Sequence, residues 1–129
     1  MNIQTTSRTE LVDITDRVCA VIKESCTENG ICVISTRHTT SGIIINENEA
    51  GVRSDILDML ETLVPENKSY AHNQLDNNAD AHLRAVLVGG SEIIPIEDGR
   101  PVLGTWQSVF FVELDGPRTR YVDVKILKI

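Results

Sequence analysis

Hydrophobic positions along this chain recur with two periods. Between 52 and 63, Val52, Ile56, Met59, Leu60 and Leu63 fall at i, i+4, i+7, i+8 and i+11. That spacing marks one face of a helix, and Pro65 follows its end. A first helix is predicted from Asp16 to about Glu28, with Thr15 as N-cap and Val18, Val21, Ile22 and Cys26 inward. Gly30 is expected as the left-handed residue past its end. A third helix is predicted over 79–88, capped by Asn78 or Asp80, with Leu83, Val86 and Leu87 inward and Gly89-Gly90 as its stop.

The remaining segments read as strands. Short ones are predicted at 2–7 and 9–14, and buried ones at ICVIST (31–36) and GIIIN (42–46). EIIPI (92–96), the turn Glu97-Asp98-Gly99-Arg100 and PVLG form a hairpin signal. QSVFFVEL (107–114) is a long strand. RYVDVKILKI (120–129) alternates, with Val122, Val124 and Ile126 on one face and Asp123 and Lys125 on the other. The segment 66–77 is polar and reads as a loop. Strand-rich ends around a helical middle predict a single α+β domain with an antiparallel sheet or sandwich.

Composition changes this picture little. The chain has 129 residues, 41% hydrophobic and 24% charged, as in ordinary globular domains. Only 4% are aromatic, so aliphatic side chains must form most of the core. The net charge of −7 argues against nucleic-acid binding but permits a small phosphorylated ligand in a local basic pocket. No apolar run reaches the ~20 residues a bilayer span needs, so no membrane partner is expected. MNIQTTSRTE does not read as a signal peptide. Cys19, Cys26 and Cys32 are odd in number and lack a CxxC pair. Buried small hydrophobes in a reducing, cytoplasmic setting are expected.

Candidate chemistry concentrates at element ends. The three histidines are His38, at the end of a strand, His72, in the polar loop, and His82, in the first turn of the third helix. Three converging imidazoles can hold an open zinc-type site, though nickel, copper or iron also bind nitrogen ligands. Their separations match no local metal motif. Spacing alone therefore favours three separate surface or capping histidines over a shared site. Glu47 can accept a proton or orient a ligand, and can equally complement the second helix's N-terminus. Thr39, Thr40 and Ser41 can hold phosphate or bond local backbone. Arg84, Arg118 and Arg120 can clamp phosphate by a bidentate fork, although each taken singly reads as a surface charge. Trp106 suits core packing and a pocket wall equally.

Four blocks resemble the YjbQ family in the same order: HTTSGIIINENE (38–49), DNNADAHLRAVLVGGS (76–91), LGTWQ (103–107) and ELDGPRTR (113–120). The resemblance covers nearly the whole chain. One departure is Ser41, where many relatives carry alanine. The resemblance implies an α+β fold with a β-sandwich-like antiparallel core and about three helices, assembled as a homotrimer. It implies a pocket in which His38, His72 and His82 hold a divalent metal. Zinc is the expected ion, with magnesium possible for a pyrophosphate substrate. Glu47, Trp106, Gln107, Glu113, Asp115 and Arg118 match further family positions. The implied activity is a secondary thiamine-phosphate synthase, which joins a pyrimidine methyl pyrophosphate to a thiazole phosphate and expels pyrophosphate. On that reading Glu47, Glu113 and His82 are catalytic. Thr39, Thr40, Arg84, Trp106, Gln107 and Arg118 bind substrate. Two other classes remain open: a metal-dependent hydrolase of a small phosphoester, and a non-catalytic metal- or ligand-binding protein.

Overall fold

Strand β7 (Gln107–Glu113) shows how the layers are built. Its apolar run Val109-Phe110-Phe111-Val112 is wholly buried, which requires cover on both faces. Val109 and Phe111 join one core cluster, and Phe110 and Val112 join another. β7 is the centre of a three-stranded antiparallel sheet, between β2 (Glu10–Asp13) and β4 (Ser41–Glu47). These relationships are seen in a computed structural model that describes residues 1–129.

Opposite one face lies a five-stranded antiparallel sheet. Its order is β1 (Asn2–Gln4), β8 (Thr119–Lys128), β3 (Gly30–Thr36), β5 (Ser91–Glu97) and β6 (Arg100–Pro101). Ile3, Cys32, Ile34, Ile94, Ile96 and Val122 meet Ile43, Val109 and Phe111 between the sheets. Helix α1 (Thr15–Glu24) adds Val18 and Ile22 to this core. Helices α2 (Ala50–Leu63) and α3 (Ala79–Val88) cover the other face of β7 through Leu60 and Ala81. The β5–β6 turn has Asp98 at φ 50° and Gly99 at φ 74°. Two consecutive positive φ values are what a tight two-residue hairpin demands, as the Asp-Gly pair predicts.

Several expectations need correction. β1 and β2 are shorter than 2–7 and 9–14. α1 starts at Thr15 and ends at Glu24, and the chain turns at Cys26 (φ 53°) rather than at Gly30. Gly30 instead opens β3, where a side chain would overlap the Leu127 carbonyl. Thr15 does not cap: its Oγ1 donates to Asp13 Oδ1 (2.6 Å) and accepts the Val109 N–H (2.8 Å), tying the helix to β7. Of the cysteines only Cys32 is buried, Cys26 is exposed, and all three are free.

Helix α3 turns a different face to the core from the one its apolar stripe predicts. Leu83, Val86 and Leu87 do not face the core, and Val86 is 80% exposed. The small side chains Ala81 and Ala85 pack there instead. Beside them Asp80 and Arg84 are buried as a satisfied pair. Arg8 forks onto Asp80 at 3.0 and 3.1 Å, and Arg84 Nε donates to the Val64 carbonyl at 2.9 Å. On α2, Met59 and Leu63 are also exposed. An apolar groove of about 450 Å³ therefore runs between α2, α3 and β4, past Ile44, Ile56 and Leu87.

Candidate functional site

The β3–β4 turn carries His38, Thr39 and Thr40, and local bonds fix its shape. The Thr36 and Ser41 hydroxyls lie 2.9 Å apart, the His38 N–H donates to Thr36 Oγ1 at 3.2 Å, and Ser41 Oγ donates to the His38 carbonyl at 3.1 Å. Thr40 is buried. Its carbonyl accepts the Leu114 N–H (3.2 Å) and its Oγ1 accepts from Arg120 (2.8 Å). The turn is thereby anchored to the core through β7 and β8.

Across from the turn stand the start of α3 and the segment after β7. Together they enclose an open cavity of about 330 Å³. Its walls include His38, Thr39 and Thr40, then Asn78 and His82, then Asp115, Arg118 and Arg120, with no hydrophobic residue among them. Arg118 uses one nitrogen on Asp115 at 3.2 Å and is half-exposed, so most of its donors remain available.

Asn78 links the two far walls. It is the N-cap residue of α3, yet its side chain makes no cap bond. Its Nδ2 donates to Asp115 Oδ2 at 2.9 Å, and its Oδ1 lies 2.9 Å from His72 Nε2. The His72 and His82 rings meet edge to face, with centroids 4.7 Å apart at 74°. His38 Nε2 accepts the Tyr121 backbone N–H at 3.0 Å. Burial and then the Arg120 charge hold the His38 imidazole below its ordinary pKa, favouring the neutral ring.

Beneath the pocket lies a buried ion pair. Glu113 accepts from Arg120 Nε at 2.9 and 3.1 Å and from the Thr5 hydroxyl at 2.7 Å. Burial alone would raise the Glu113 pKa, but the bonds from Arg120 and Thr5 outweigh it, and the carboxyl sits below its usual range.

The donor set does not fit a three-imidazole metal centre within one chain. Each such ligand must turn a nitrogen lone pair to the ion. His38 spends its Nε2 lone pair on the Tyr121 N–H, so at most His72 and His82 could turn one to an ion. No three His, Cys, Asp or Glu side chains are grouped so as to hold an ion. Only His72 and His82 are in ring contact.

Residues 1–129 match the family described as "UPF0047 protein YjbQ-like". The chain belongs to the YjbQ family. A UPF0047 protein of Methanothermobacter thermautotrophicus is 54% identical over 124 residues, covering 96% of this chain and 87% of that protein. The UPF0047 protein YugU of Bacillus subtilis is 40% identical, covering 98% of this chain and 96% of its own length. A crystal structure of a YbjQ-like protein of unknown function from Sulfolobus solfataricus superposes with a TM-score of 0.98 at 42% identity, covering 100% of this chain and 94% of that one.

In this YjbQ-family chain the expected site residues fall into three places. His38, Thr39, Thr40, His82 and Arg118 line one pocket, with His72 against His82. Arg84 and Glu113 are buried in ion pairs of the core, Arg84 beside Asp80 at 3.4 Å and Glu113 against Arg120. Glu47, Trp106 and Gln107 gather at the far end of the middle sheet. Glu47 pairs with Gln107, whereas Ser41 pairs with Glu113. Six residue steps of strand separate the two ends by roughly 20 Å. Trp106 is 73% exposed, which fits neither core packing nor a wall of the histidine pocket. Sequence reasoning missed the linking role of Asn78, which it took for a cap. The side-chain oxygen that a cap would turn to the first N–H groups of α3 faces His72 Nε2 instead, and the amide N–H goes to Asp115.

Proposed function

We propose that the histidine pocket binds the phosphate of a small phosphorylated substrate, and that the chain is a thiamine-phosphate synthase-type transferase. The observation carrying this reading is the lining: histidines, arginines and hydroxyls converge with no hydrophobic side chain. Such an array suits a highly charged, hydrogen-bond-accepting ligand.

The chemistry asks little else of the protein. The thiazole nitrogen donates its lone pair to the methylene carbon of the pyrimidine. The bond from that carbon to pyrophosphate oxygen breaks, and the pyrophosphate leaves with the electron pair. The nitrogen becomes cationic, and no proton changes hands. A general base is therefore unnecessary, in keeping with a Glu113 buried against Arg120. What matters is orientation and stabilisation of the charge gathering on the leaving group. Arg118, Thr39, His38 and His82, which line the cavity, would supply both.

A second reading, hydrolysis of a small phosphoester, draws support from the His72–His82 contact. Two adjoining imidazoles can relay a proton to and from water. Self-association as a homotrimer belongs to the proposal and is supported by the exposed apolar groove on α2 and α3. A cytoplasmic setting agrees with three unpaired cysteines.

The test is to incubate purified protein with both precursors and measure thiamine phosphate and pyrophosphate, beside His82→Ala. Equal product from variant and parent removes the pocket from the reaction. Release of phosphate from simple esters without the coupled product selects the hydrolase.

A further inference from the structure

We infer that His38 serves the pocket as a hydrogen-bond donor to the bound anion through Nδ1–H, and is not a metal ligand. This rests on the reading of the pocket as a phosphate site and names one of its binding groups.

The β3–β8 ladder ends where Thr36 pairs with Val122. On that side of β8 the next residue, Tyr121, has no β3 partner to supply a carbonyl to its N–H. It donates to His38 Nε2 at 3.0 Å instead. A backbone N–H can only donate, so Nε2 must carry the lone pair. A neutral imidazole has one proton, and it is therefore on Nδ1. The β1–β8 pairing of Asn2 with Tyr121 holds the donor in place, so this tautomer is imposed by the backbone.

Nδ1 has no partner within the protein. No buried side-chain nitrogen or oxygen is left unpaired, so Nδ1 reaches solvent, on a ring that lines the pocket. What His38 can offer a ligand is thus an N–H. An anion oxygen accepts it, whereas a metal ion needs the lone pair that Tyr121 already occupies. His72 is set the opposite way. Asn78 spends its amide N–H on Asp115 and so turns its oxygen to His72 Nε2, which must donate. The free nitrogen of His72 then carries a lone pair. The two histidines are unlike in kind, and a set of three equivalent ligands is not what the backbone prepares.

The experiment uses uniformly 15N-labelled full-length protein. Long-range nitrogen–proton spectra at mildly alkaline pH are expected to show His38 with a protonated Nδ1 and a bare Nε2. Added pyrophosphate is expected to move these signals. His38→Ala should weaken pyrophosphate binding about tenfold, the loss of one bond to a charged group. His38→Asn, whose amide restores a donor near the same place, should recover part of it. Zinc titration should give the same affinity in His38→Ala as in the parent. An Nε2–H tautomer in the parent spectrum, or a fall in zinc affinity in His38→Ala, overturns the assignment. Failure of the parent to bind either pyrophosphate or orthophosphate overturns the phosphate reading of the pocket itself. The tautomer is read on unmodified protein and does not depend on whether a variant folds.

Discussion

Arg120 and Glu113 face each other from β8 and β7, both buried, with the guanidinium spread over both carboxylate oxygens. The same guanidinium holds Thr40 in the pocket wall. Removing one partner strands the other charge in the core. Glu113→Ala is expected to destabilise the fold by about 3–5 kcal/mol. Urea unfolding measures this, and a loss below ~1 kcal/mol would contradict a structural role for the pair.

Acid should weaken the fold through two groups. Glu113 and Asp80 both sit below their ordinary pKa. For each, burial pushes upward but the hydrogen bonds and charge of their arginines prevail. The unfolded chain binds these protons more readily than the folded one. Their contribution is then fully present above the unfolded carboxylate range, about pH 4–4.5. It disappears as pH falls further, through the lower folded values. Urea midpoints should be level at higher pH and drop in acid, and Arg8→Ala should reduce the part owed to Asp80.

Gly42 lies in β4 just after the HTTS turn, against the end of α3. A Cβ there would overlap the Val88 side chain and stand 2.7 Å from the Gly89 carbonyl oxygen. Gly42→Ala is expected to cost about 1–3 kcal/mol by forcing α3 off the sheet. Because α3 carries Asn78 and His82, pyrophosphate affinity should fall with it. Calorimetry and thermal unfolding on the same samples check both.

The apolar groove yields a test of assembly. Leu63 and Leu87 are exposed on α2 and α3 and contribute little to the folded chain alone. Replacing both with glutamate should leave the circular dichroism spectrum unchanged and convert the proposed trimer to monomer by light scattering. Unchanged mass would place the subunit contact elsewhere.

The elements were legible in the sequence where one period dominated. The run in β7, the Asp98-Gly99 hairpin and the alternation of β8 follow directly from their residues. Helix facing was not legible for α3. An apolar stripe of Leu83, Val86 and Leu87 cannot announce that the small side chains Ala81 and Ala85 will win the sheet contact. The nearness of His72 to His82 follows from the path of residues 66–77, where the expected loop contains a short 3-10 helix, Ala71–Gln74, that no periodicity records. Burial of Arg84 and Glu113 was equally hidden, since charged residues read as surface until their partners, Asp80 and Arg120, are seen to reach them.

Fixing Thr40 to the core has a practical side. A wall bolted to β7 and β8 lets occupancy of the cavity register in the heat resistance of the entire domain. A ligand present at a hundred times its dissociation constant adds about 2.7 kcal/mol, enough to raise the melting temperature by several degrees. A library of metabolites can therefore be screened by thermal shift without knowing the reaction beforehand, and the compounds that protect the protein will nominate its substrate.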